Sequence, residues 1–107
     1  MDQLDKLCMG IYNDYYGALL TKHQSELVRK YYDFDMSLAE IGKEVGISPQ
    51  GVRDTLQRAE KLLKGYEEKL GLVRKTIKMK ELLEEFEEVA TPEQKIRIKE
   101  ALEILED

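Results

Sequence analysis

The sequence predicts an all-α protein: a four-helix unit containing a helix-turn-helix, without the strands of a wing, followed by a two-helix C-terminal extension. Three observations carry that expectation. A Ser or Thr followed three residues later by Gln or Glu recurs at Thr21 and Gln24, Ser37 and Glu40, and Thr91 and Gln94. At that spacing the hydroxyl and the longer side chain cap a helix start reciprocally. Both prolines, Pro49 and Pro92, directly follow a capping residue, where the missing N–H would have had no helical partner anyway. Apolar residues recur at intervals of three and four, and no segment alternates as a strand would.

These marks divide the chain into six helices. The first runs from about Asp2 to Tyr16, with Leu4, Leu7, Cys8, Ile11 and Tyr15 as its apolar stripe and Gly17 as its stop. The second runs from Lys22 to about Asp33 and carries Leu27, Val28, Tyr31 and Tyr32; Asp33 to Met36 form a connector. The third is short, Leu38 to Val45, and Gly46 closes it. The fourth starts after Ser48, which keeps a capping hydroxyl although Gly51 stands at the third position, and runs to about Leu70, with Gly71 as its stop. The fifth covers roughly Val73 to Val89 and the sixth Pro92 to about Leu105. A boundary near Gly71 separates an N-terminal domain, 1–71, from an extension, 72–107.

The bulk composition limits the functions open to the chain. Its 107 residues fit one compact domain with a helical extension. A net charge of -5 argues against a protein that coats nucleic acid through a broad basic surface, while leaving room for a local basic patch. The single cysteine, Cys8, rules out an internal disulfide and reads as a core residue. There is no signal-peptide pattern, and no apolar run approaches the ~20 residues that span a bilayer. A cytoplasmic protein without membrane insertion is therefore expected. An enzyme is not: His23, the only histidine, sits in the first turn of the second helix, no Cys/His spacing suits a metal, and no glycine-rich loop follows a strand. No cofactor is expected.

The third and fourth helices carry the functional argument. Leu38, Ile41 and Val45 form one apolar face. Gly42 stands where a side chain would push a partner helix away, Gly46 allows a left-handed bend, and Ile47 plugs the corner. Val52, Leu56, Ala59, Leu63, Tyr66 and Leu70 continue the buried face, as a helix-turn-helix requires. At ~100° per residue, Gln50, Arg53, Gln57, Lys61 and Lys64 fall opposite as one stripe, which Arg58 joins. Asp54 and Glu60 border it and Glu68 continues it. Gln and Arg near the N-terminus suit base edges, and Lys further along suits phosphates. Gly51 would let the backbone approach a phosphate, where the helix dipole adds positive charge. The same polar stripe is also what any exposed helix face looks like.

The stretch YYDFDMSLAEIGKEVGISPQGVRDTLQRAEKLLKGYEEKL resembles region 4 of bacterial sigma factors, which reads promoter DNA with its second helix. The likeness rests on SLAEIG, KEVGIS and the placing of Val52 and Arg53. Over nearly the whole chain, from YYGALLTKHQ to LEEFEEV, the sequence resembles the YlxM family of small helix-turn-helix proteins. The sigma resemblance implies base-reading positions at Gln50, Arg53 and Asp54. Arg53 matches the sigma pattern, Gln50 stands where sigma commonly has Glu, and Asp54 stands where it has Gln. Pro49 and Gly51 stand where it has Arg. The YlxM resemblance implies a link to the signal recognition particle, because the family's gene commonly sits beside that of the particle's GTPase. The nucleic-acid-binding set expected from the stripe and the resemblance together is Gln50, Arg53, Asp54, Gln57, Arg58, Lys61 and Lys64, facing DNA or RNA. The alternative is an accessory protein that contacts the particle's GTPase or its RNA without binding DNA.

The extension is electrically polarised. Arg74, Lys75, Lys78 and Lys80 fill the first half of the fifth helix, and Glu81, Glu84, Glu85, Glu87 and Glu88 the second. This order opposes the helix macrodipole. An anion at the basic half, or antiparallel pairing of two copies, would each account for it; a solvated face is the plainest reading of any one of these residues. The apolar residues are Leu72, Met79, Leu82, Leu83, Phe86 and Val89, with Ile98, Ala101, Leu102 and Leu105 on one face of the sixth helix and Ile96 and Ile104 on another. Two apolar faces exceed what one intramolecular partner needs, so a homodimer with the extension in its interface is expected, the alternative being an extension folded back on its own four-helix unit.

Overall fold

A computed structural model describes residues 3–106 of the chain, with side chains for 7–106. Among the described residues there are six α-helices and no strand. They form two compact units, Met1–Gly71 and Leu72–Asp107. In the first unit α1 (Gln3–Tyr16) leads through a 3-10 turn (Gly17–Leu19) to α2 (Lys22–Val28). A π turn (Arg29–Asp33) then precedes α3 (Leu38–Val45) and the long α4 (Pro49–Leu70). The second unit is α5 (Leu72–Glu87) and α6 (Pro92–Glu106).

The caps form as their spacing dictates. Thr21 Oγ1 accepts from the Gln24 N–H at 3.1 Å while Gln24 Oε1 accepts from the Thr21 N–H at 3.0 Å. Ser37 and Glu40 exchange the same pair of bonds, both at 3.1 Å, as do Thr91 and Gln94 at 3.2 and 2.9 Å. Each box satisfies two of the backbone donors that a helix start leaves open.

In the first unit α1, α2 and α3 all pack against α4. Val52, Leu56, Ala59 and Leu63 of α4 are buried with Leu27 and Val28 of α2 and Ile41 of α3. Each large aliphatic side chain removed from water there contributes about 1.5–3 kcal/mol. The second helix reaches Asp33 as expected, but its last turn widens: the Phe34 N–H donates to the Arg29 carbonyl, five residues back, at 3.1 Å. Tyr32 in that turn is buried and its ring meets Tyr31 edge-on at 4.9 Å. Its hydroxyl donates to Glu60 Oε1.

The buried side of α1 differs from the expected stripe. Leu7 is 62% exposed, Tyr15 lies at the surface, and Cys8 and Ile11 are only half-buried. Asp2 and the side chain of Leu4 lie outside the described residues. The row that enters the core is Met9, Asn13, Tyr16 and Leu20. Asn13 can be buried because both ends of its amide find a partner: Nδ2 donates to the Ser25 carbonyl and Oδ1 accepts from the Ser25 hydroxyl, both at 3.1 Å. Gly17 ends α1 by leading into the 3-10 turn, without a left-handed residue. A Cβ there would stand 2.9 Å from Asn13 Oδ1 and Ser25 Oγ.

On α4 the buried row also ends differently. Tyr66 is half-buried and Leu70 is 45% exposed, while Glu67 takes the buried position one turn beyond Leu63. Tyr16 donates to its Oε1 at 2.6 Å. Gly71 closes the helix in the left-handed conformation, φ 63°, with its N–H on the Glu67 carbonyl at 2.8 Å.

In the second unit α5 and α6 pack on each other as a hairpin, and Ile98 is buried. Leu83, Ala101, Leu102 and Leu105 are half-buried, whereas Leu82 and Phe86 of α5, Val89 in the turn after it, and Ile96 and Ile104 of α6 are exposed.

Candidate nucleic-acid interface

The interface is launched by the turn between α3 and α4. Gly46 adopts φ 80°, and its N–H and that of Ile47 both donate to the Gly42 carbonyl, at 2.8 and 2.9 Å. The chain folds back so tightly that a Cβ on Gly42 would stand 2.5 Å from the Ile47 carbonyl oxygen. Glycine is required at 42 by space and favoured at 46 by conformation. Ile47 is not the plug expected of it, since the turn leaves it 36% exposed. Ser48 Oγ then accepts from the Gly51 N–H at 3.0 Å. A Cβ on Gly51 would approach that Oγ to 3.2 Å, so this glycine leaves room for the cap.

From this start α4 buries one side and presents the other. Val52, Leu56, Ala59 and Leu63 are each 3% exposed or less. Gln50, Arg53, Asp54, Gln57, Arg58, Lys61 and Lys64 are all exposed. All seven sequence-predicted residues thus lie together on the solvent side of one helix. Arg53 and Gln57 form one wall of a cleft whose other lining includes Tyr31 and Leu38. Arg58 and Lys61 share a shallow depression with Asp54 and Gln57. They also border a second, more apolar groove on their other side, with Leu62, Gly65, Tyr66 and Lys69.

Two acids near the row behave differently. Glu60 is held by the Tyr32 hydroxyl, which anchors it to the π turn. Asp54 lies within the row and accepts from Gln50 Nε2 at 2.9 Å. Gln at one position with Asp one turn later is a favourable helical pair. It occupies one of the two N–H donors of the Gln50 amide and leaves the other, with the carbonyl oxygen. The row therefore offers Arg53, Arg58, Lys61 and Lys64 for phosphate or guanine contacts, and a Gln50 turned toward Asp54.

Elsewhere the described residues contain no group of three or more His, Cys, Asp or Glu side chains arranged to hold a metal. No helix among them is long and apolar enough to cross a membrane.

Comparison with known proteins gives one consistent result. A family model described as "Putative helix-turn-helix protein, YlxM / p13 like" matches residues 4–103. A UPF0122 protein of Halalkalibacterium halodurans is 41% identical over 108 residues, covering 96% of this chain and 99% of that protein. One from Caldanaerobacter subterraneus subsp. tengcongensis is 50% identical over 84 residues, covering 78% and 72%. One from Desulforamulus reducens is 51% identical over 67 residues, where the match takes in 63% of this chain and only 57% of the relative.

Proposed function

The chain belongs to the YlxM/p13-like family of helix-turn-helix proteins, and from that premise we propose that it is a nucleic-acid-binding regulatory protein of the signal recognition particle pathway. It acts in the cytoplasm, without catalysis, through the outer side of α4. The observation that carries this reading is the exposed row from Gln50 to Lys64, set on a helix whose opposite side is fully buried and whose entry is fixed by Gly42 and Gly46. A helix so placed can enter a groove with its N-terminal residues at base edges and its lysines at phosphates. The first unit is the binding domain. The second is the oligomerisation element of a homodimer.

Salt titration tests the reading. If the row neutralises about three phosphates, log affinity for duplex DNA falls with log salt at a slope of about -2.7. Arg53→Glu and Lys61→Glu together should abolish that binding. Duplex affinity indifferent to both substitutions would place the contact elsewhere.

A second reading is favoured by the Gln50–Asp54 bond, which occupies a base-reading side chain, and by the apolar side chains exposed on the second unit. In it the helix-turn-helix is a scaffold, and the partner is the particle's GTPase or its RNA. Pull-down from a native lysate, scored for GTPase, RNA and DNA together, separates the two.

A further inference from the structure

Two features of this chain remain without a partner inside their own units. The first is the apolar groove beside α4 in the first unit. Its floor is Leu62, Gly65 and Tyr66, and its rim carries Arg58, Lys61 and Lys69. Leu62 is 40% exposed. Gly65 is the telling residue. It sits in the interior of a 22-residue helix, where glycine lowers helix stability relative to alanine. Its φ is not positive and a Cβ there would meet nothing within 4 Å, so nothing in the chain's own packing demands a glycine. A glycine with open space above it lowers the floor for a helix to approach closely.

The second feature is the outer side of α5 in the second unit. Met79, Leu82 and Phe86 recur at helical spacing and are 50%, 48% and 48% exposed, and Val89, 79% exposed, follows in the turn after Glu87. Exposed Glu84 and Glu85 flank them, with Glu88 just past the helix and Glu81, which pairs with Lys78 at 3.9 Å. This is an acidic amphipathic ridge, and the groove is its inverse: apolar floor, cationic rim. From residue 58 to 69 a helix rises about 16 Å, and the helical part of the ridge, 79 to 87, rises about 12 Å.

We propose that the acidic ridge of α5 docks in the α4 groove of a second copy of this chain, the two copies exchanging ridges. Reciprocal exchange closes the pair with two-fold symmetry and leaves no open end. It also accounts for the order of charges on α5, which opposes its own macrodipole: the glutamates stand where the other copy's cations receive them. This deepens the homodimer reading above and rests on it.

The test uses the full chain in sedimentation velocity, with circular dichroism as the control for folding. The wild type should dimerise, more weakly at high salt. Gly65→Leu fills the floor and should weaken the dimer at least about tenfold, with helicity and thermal midpoint held or raised. Lys69→Glu should pair better with Glu84→Lys/Glu88→Lys chains than with itself. In a Cys8→Ser background, Leu62→Cys chains mixed with Phe86→Cys chains should form a disulfide between the two. A wild type that stays monomeric overturns the homodimer reading and this docking with it. A dimer indifferent to Gly65→Leu, or one that fails to cross-link, overturns the docking alone. So does a Leu62→Cys/Phe86→Cys chain that closes its disulfide within itself.

Discussion

The phenol of Tyr16 donates to Glu67 Oε1 at 2.6 Å, joining residues 51 apart in the chain. The end of α1 is thereby tied to the penultimate turn of α4, with Tyr16 1% and Glu67 9% exposed. A hydrogen bond to a charged group contributes about 1.5–3 kcal/mol. Tyr16→Phe removes this donor and should lower unfolding free energy by that order, read from urea denaturation. Replacing both partners, Tyr16→Phe with Glu67→Leu, should recover much of the loss, because no buried carboxylate is then short of a donor.

The turn should be less forgiving at Gly42 than at Gly46. A Cβ on Gly42 meets backbone at 2.5 Å, whereas one on Gly46 meets nothing and suffers only from the left-handed conformation. Gly42→Ala forces α3 and α4 apart at a cost of about 1–3 kcal/mol, and Gly46→Ala costs about 1 kcal/mol. Thermal melts of the two variants should show the larger drop for Gly42→Ala.

Asp54 restrains the proposed nucleic-acid surface. It holds Gln50 and sets a negative charge within a row of cations. A like charge about 4 Å from a phosphate costs about 1 kcal/mol in water. Asp54→Ala should therefore tighten duplex binding about fivefold by fluorescence anisotropy. Arg53→Ala should weaken it and reduce the salt slope by about one. Tightening absent from Asp54→Ala would mean that Asp54 faces no phosphate in the complex.

Acidification acts on Asp14 and Glu40 in opposite senses. Burial first, then the charge of Asp33, raises the Asp14 carboxyl above its usual range, against the pull of Arg29. The folded state thus disfavours the Asp14 carboxylate, and that penalty is relieved as pH falls from the raised folded value toward the ordinary carboxylate range. Asp14→Asn should stabilise the protein at pH 7 and lose its advantage in acid. Glu40 is held below its usual range by the Ser37 N–H and then by the Ser37 hydroxyl. Its contribution is present above the ordinary carboxylate value and is lost as pH falls through the lowered folded one. Glu40→Gln should keep the cap and flatten the acid limb, measured by urea midpoints at several pH values.

Gly65→Ala separates helix propensity from packing. With open space at its Cβ, the variant should gain about 0.5–1 kcal/mol in unfolding free energy. No gain would mean that the glycine answers a need within its own chain.

Local chemistry was the most legible part of the sequence. The three capping boxes, Gly46, Gly71 and the bounds of α3 and α4 follow from rules that act over four or five residues. The buried row Val52, Leu56, Ala59 and Leu63, and the exposed Gln50, Arg53, Gln57, Lys61 and Lys64 opposite it, follow from helical period, whereas Asp54 entered the set through the sigma resemblance. What escaped were positions settled by partners distant in sequence. Asn13 and Glu67 are polar and buried because Ser25 and Tyr16 satisfy them, and no periodicity announces such a partner. Displacing Leu7 and Tyr15 from the core is the counterpart of admitting Asn13 and Tyr16. The Gln50–Asp54 bond was within reach, since a Gln followed by an Asp four residues later is a known helical pair.

Arg58 and Lys61 line both the depression on the proposed binding face and the groove beside it. Two adjoining ligands would draw on the same two positive charges, and neither guanidinium nor ammonium can serve both at full strength. Occupation of one surface must then lower affinity at the other, and thermodynamic linkage makes that antagonism equal in both directions. If a second copy takes the groove, protein concentration itself becomes an inhibitor of nucleic-acid binding.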